Sequence, residues 1–103
     1  MLRITKIEEL TTMTLKLEGR LAGIWVPECS EAWKVLIPSL QGRKLCLDIR
    51  DVTFVDQNGQ KLLADMYKQH GVQFFTSLLT QHFADKAVEA SHHRAKVDDE
   101  PLT

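Results

Sequence analysis

Residues 45–63, LCLDIRDVTFVDQNGQKLL, decide how this chain folds. From Lys44 to Arg50 the pattern alternates, with Leu45, Leu47 and Ile49 on one face of a strand and Cys46 on the other. Apolar residues on both faces predict a strand inside a sheet rather than at its edge. Asp51-Val52-Thr53-Phe54-Val55 then reads as a compact connector with its own apolar anchors. Asp56 is placed to cap a helix, because a short carboxylate ahead of a helical run accepts hydrogen bonds from its unpaired first N–H groups. Leu62, Leu63, Met66, Tyr67 and His70 recur at helical spacing as the buried stripe, and Gly71 stands where a left-handed C-terminal cap is needed. A strand followed by a helix over 57–70 marks the chain as α/β.

Upstream, residues 2–7 and 12–18 both read as strands, the second with Met13, Leu15 and Leu17 alternating with Thr12, Thr14, Lys16 and Glu18. The polar connection Glu8-Glu9-Leu10-Thr11 is of hairpin length, so these strands should pair antiparallel. Gly19 and Gly23 punctuate the loop that follows. From Val26 the period changes, since Val26, Cys29, Trp33, Leu36, Ile37 and Leu40 recur at three- and four-residue spacing. Pro27 suits a first helical turn, Glu28 and Glu31 complement the positive end of the helix dipole, and Pro38 should end or distort the helix near Ile37. After this helix the strand at 44–50 can return parallel to an earlier one. Downstream, Val72 to Thr76 reads as a fourth strand, and Leu79, Phe83, Ala87 and Ala90 predict a third helix from about Leu78 to Ser91. The order is ββαβαβα, a small four-stranded mixed sheet with helices mainly on one face. One domain over residues 1–91 is expected, followed by a polar, mobile tail over 92–103 that has no apolar period.

The chain has 103 residues, 44% hydrophobic and 26% charged, the balance of a folded globular domain. With 13 Lys+Arg against 14 Asp+Glu, no basic cluster is dense enough for nucleic acid. The longest apolar run, 22–26, is far short of the roughly 20 residues that span a bilayer, so no membrane insertion is expected. The first residues lack the pattern of a secretory leader, and the expected location is cytoplasmic. Cys29 and Cys46 carry no metal-binding or redox spacing and read as small buried hydrophobes.

No pattern in the chain points to catalysis. None of His70, His82, His92 and His93 has a second ligand at i+4, so no metal site is expected. His70 reads as an inner-stripe or helix-end residue. Asp48, Asp51 and Asp56 bracket a strand end in a manner that resembles an acidic magnesium pocket, but each has a plainer role in a strand, a turn or a cap. Nucleophile elbows and phosphate-binding glycine loops are absent. Trp33 lies on the core stripe, whereas Trp25 suits either a hydrophobic staple or an exposed contact.

The segment 45–63 resembles the signature of STAS domains (sulphate transporter and anti-sigma factor antagonist family), in which a hydrophobic strand and a Val-x-Phe-hydrophobic-Asp connector lead to Asp-Ser-Ser-Gly at a helix start. The likeness extends to Leu17-Glu18-Gly19-Arg20-Leu21 and to Gly71-Val72, and covers the chain to about Ser91. It implies a small mixed sheet and a non-enzymatic, cofactor-free module of bacterial partner-switching regulation. Its protein partner would be an anti-sigma factor, a serine kinase-like protein or a transporter subunit, and a homodimer is compatible with it. Docking is expected through Asp56, Gln57, Asn58, Gly59, Gln60, Lys61, Ala64, Asp65 and Lys68, the helix start and the face opposite the buried stripe. Asn58 stands at the family's phosphorylated position, and neither Gln57 nor Asn58 has a hydroxyl to accept a phosphoryl group. The competing reading, from a different class, is a sensor that binds a nucleotide or another anion at the Asp56–Gly59 helix start.

Overall fold

The computed structural model describes the backbone of residues 1–99 and side chains as far as residue 92. Strands β1 (Leu2–Glu8) and β2 (Thr12–Leu21) form the antiparallel hairpin, and α1 (Trp25–Leu36) then leads through a short 3-10 turn at Ile37–Ser39 to β3 (Lys44–Val55). Helix α2 (Gln57–His70), strand β4 (Gln73–Phe75) and helix α3 (Gln81–Asp99) follow. The sheet runs β1-β2-β3-β4, with β2, β3 and β4 mutually parallel. This is the expected ββαβαβα order and mixed sheet.

The strand phases follow from alternation. Met13, Leu15 and Leu17 of β2 and Leu45, Leu47 and Ile49 of β3 join one core with Cys29, Trp33 and Leu36 of α1 and Leu63 and Met66 of α2. Thr14, Cys46 and Asp48 alternate onto the opposite face, and all three are buried even there. Both cysteines are free and buried, and burial pushes the Cys29 thiol up to about 12, leaving it an inert packing group. Helix α1 gives way to the 3-10 turn at Pro38, which has no N–H to continue the helical ladder, while Ile37 before it keeps helical angles.

Two elements depart from expectation. The stretch 51–55 is a continuation of β3 rather than a connector, because β2 also runs on to Leu21 and pairs with it from Glu18↔Asp51 to Leu21↔Val55. Register shifts between Lys16 and Glu18 and between Gly19 and Arg20 broke the period-two pattern that would have revealed this. Gly19 sits at φ 106°, where a side chain is strained, and a Cβ there would also strike the Met1 carbonyl. The third helix starts at Gln81 rather than near Leu78, and its backbone continues past Ser91 to Asp99. A turn precedes it in which the Ser77 N–H donates to the buried Thr80 hydroxyl (2.9 Å). Leu79 is therefore exposed, and so is Ala90, while Ala84 and Ala87 face inward. Of the expected tail at 92–103, the backbone to Asp99 belongs to α3 and residues 100–103 lie outside the described residues.

Candidate functional site

Because β2 and β3 are parallel and end together at Leu21 and Val55, the segments 22–24 and 56–58 meet beyond one end of the sheet, whereas β4 stops at Phe75 opposite Asp48 and the segment 76–80 lies beside Arg50, Val52 and Thr53. The end where 22–24 and 56–58 meet is the one at which an open α/β sheet most often receives ligands and partners. The α2 start is held there by its cap. Asp56 is the N-cap: its Oδ1 accepts from the Gly59 N–H (2.8 Å) and its Oδ2 from the Gly23 N–H (2.9 Å). One carboxylate thus ties the α2 start to the loop after β2. The amides of Gly23 and Gly59 hold its carboxyl below the usual carboxylate range. The Asp56 N–H donates to the Leu21 carbonyl (3.2 Å), a second tie between the same two segments.

Gly59 is buried in the first turn of α2, and a Cβ there would run into the Leu21 carbonyl and come within 2.9 Å of Val55 Cγ1. The glycine lets the helix start sit directly on the ends of β2 and β3. Gln57, Asn58, Lys61 and Lys68 are exposed, in agreement with the expected outer face.

The expected face is narrower than its sequence phase suggested. Ala64 is buried, and Gln60 is half-buried with its Nε2 donating to the Phe83 carbonyl (2.7 Å). Helix α3 lies along that side of α2 and contributes Ala84 and Ala87 to the same core, so both residues serve a helix–helix contact. Asp65 is half-buried. His70 is exposed rather than part of the inner stripe, with its ring edge-on to Trp33 at 5.3 Å between centroids. Tyr67 is half-buried and stacks on Phe74.

Flanking the helix start is one large apolar side chain that the sequence pattern does not assign to the site. Ile24 is 76% exposed beside Gly23, whereas Leu79, 82% exposed in the turn before α3, lies beside Arg50, Val52 and Thr53 of β3. Ile24 falls within the longest apolar run and Leu79 on the helical period with Phe83 and Ala87, so neither carries a surface signal in the sequence. Trp25, by contrast, is half-buried and packs on the core as the first residue of α1.

The three aspartates do not converge. Asp48 is held by Arg50 on its own strand (Nη2–Oδ2 2.8 Å), and the Arg50 hydrogen bond keeps its carboxyl below the usual range. Asp51 pairs with Lys16 at 3.8 Å, and Asp56 caps α2. Among the described residues no group of three His, Cys, Asp or Glu side chains is placed to hold a metal ion, and no helix is long and apolar enough to cross a membrane. An anion arriving at the α2 start would meet the Asp56 carboxylate already seated on its amide. No family model matches the chain, and no curated protein matches it.

Proposed function

We propose that this chain is a non-catalytic docking module of the STAS type, which binds a protein partner through the exposed start of α2 and the loops beside it. The partner class this reading favours is an anti-sigma factor, a serine kinase-like protein or a subunit of a transport assembly. The observation that carries it is the meeting, beyond the paired ends of β2 and β3, of a firmly capped helix start with exposed Gln57, Asn58 and Lys61 and the exposed apolar Ile24. An apolar anchor beside polar, orienting groups on a rigid frame is what a protein interface needs. Asn58 cannot be phosphorylated, so the module is competent without a phosphoryl step.

The test compares wild type with Asn58→Asp and Lys61→Glu as baits for cross-linked partners in the source cell, with quantitative mass spectrometry and melting curves in parallel. Asn58→Asp adds a charge that suits a helix N-terminus, so stability should hold or rise by ~0.3–1 kcal/mol. Partner recovery should fall with both substitutions, because an uncompensated charge is costly when desolvated at an interface. Equal recovery with all three baits, or no partner held by wild type, would overturn the reading.

A further inference from the structure

Past the point where β4 ends, one edge of β3 has no strand beside it. Strand β4 pairs with β3 only from Cys46↔Gln73 to Asp48↔Phe75, whereas β3 runs on to Val55 with β2 along its other edge. The segment 76–80 does not take over the pairing, since its backbone hydrogen bonds close its own turn and the start of α3. The Arg50 N–H is covered by the Asp48 carboxylate of its own strand (3.1 Å), which leaves residues 51–55 as the open stretch. Alternate residues of a strand turn their N–H and C=O groups to one edge, so this stretch offers donors and acceptors that no described backbone group takes.

That edge borders a groove of about 570 Å3. Arg50, Asp51, Val52 and Thr53 line it together, and consecutive residues, whose side chains alternate between the two faces of a sheet, share one groove along their edge. The opposite wall is the turn before α3 and the first residues of that helix, with Leu79, Thr80 and Phe83. This wall decides what fits. The edge of a second sheet would bring its own neighbouring strands into the space that the α3 start occupies, so the slot takes a single extended segment. Val52 and Phe83, both packed on the core, and exposed Leu79 offer apolar contacts, whereas Asp51 and Thr53 are exposed and polar. We propose that the outer edge of β3 over residues 51–55 binds a short extended segment of a protein partner, with alternating apolar and polar side chains, as an added strand in the lane that β4 leaves. Main-chain hydrogen bonds supply the grip and the apolar wall selects side chains. The register shifts with β2 bend this half of β3, which keeps the added strand short. The inference does not depend on the docking reading of the α2 start.

The experiment titrates the isotope-labelled full chain with the probe peptide acetyl-Lys-Thr-Val-Thr-Val-Thr-Glu-amide and follows the backbone amides of residues 51–55 by NMR and hydrogen exchange. Those amides should shift saturably, and the ones that face the groove should exchange roughly tenfold more slowly at saturating peptide. The same peptide N-methylated at its three central residues keeps its side chains and loses their donors, so it should bind roughly tenfold more weakly, the loss expected from one or two hydrogen bonds. Leu79→Asp, an exposed substitution on the far wall, should weaken the peptide by a similar factor at unchanged melting temperature, because it sets a charge beside apolar side chains. Absence of saturable shifts at 51–55, equal binding of the N-methylated peptide, or unchanged affinity in Leu79→Asp would each overturn the proposal. A dimer in sedimentation that the peptide dissociates would also overturn it, by giving the edge to a second copy of the chain.

Discussion

Gly59 shows how one residue can set the geometry of a surface. Its backbone is helical, so its value lies in having no Cβ where the Leu21 carbonyl and Val55 close in. Gly59→Ala should therefore destabilise the fold by about 1–3 kcal/mol in urea denaturation, overpacking outweighing the ~1 kcal/mol that alanine gains as a helix former. A stabilised variant would show that the α2 start is not seated on β2. Two carboxylates carry a pH signature. Arg50 lowers Asp48, and the Gly23 and Gly59 amides lower Asp56, so both bind protons less readily in the folded chain than in the unfolded one. Their contribution is full above the unfolded value of about 4 and is lost as pH falls through the folded values. Melting temperature should drop on acidification below about pH 4, and the double variant Asp48→Asn/Asp56→Asn should show a flatter acid limb. An acid limb as steep as wild type would assign the pH dependence to other groups.

At the scale of elements, α2 has two packing faces. Its inner face sets Leu63 and Met66, both essentially inaccessible, against the core shared with β2 and β3. Leu63→Ala should cost ~2–5 kcal/mol by calorimetry, whereas a loss below about 1 kcal/mol would place this side chain outside a close-packed core. The second face carries Ala64 and Gln60 against α3, where the small residues Ala84 and Ala87 let the helices approach. Ala87→Leu should destabilise by about 1–3 kcal/mol through overpacking, a cost readable as a shifted denaturation midpoint with unchanged slope. A neutral effect would mean that α3 can slide away from α2. Strand β3 also has two roles, since its first half packs within the sheet and its second half, past the register shifts with β2, delivers Asp56 to the α2 start.

For the molecule as a whole, the parallel pairing of β2 with β3 brings the loop after β2 to the start of α2, which places Ile24 there although 32 residues separate it from Asp56 along the chain. Element order, the limits of α2 and the Gly71 cap at φ 59° were legible in the sequence, because alternation, helical spacing and capping chemistry are local properties written over a few neighbouring residues. The second half of β3 was not legible, since bulges interrupt its alternation and only its pairing with β2 defines it as a strand. The burial of Ala64 and Gln60 was equally hidden, because an alanine or glutamine opposite a leucine stripe reads as surface until a second helix covers it. His70 fits the apolar stripe by spacing but lies at the end of α2, where its ring meets Trp33 while the residue stays exposed. Alternation, helical spacing and capping residues suffice for the α/β class, the faces of β1, β2 and the first half of β3, the caps of α2 and the polar character of its start. Tertiary structure alone decided how wide the exposed face is, which apolar residue flanks it and that the outer edge of β3 over 51–55 has no strand beside it, because each depends on contacts between segments distant in the chain.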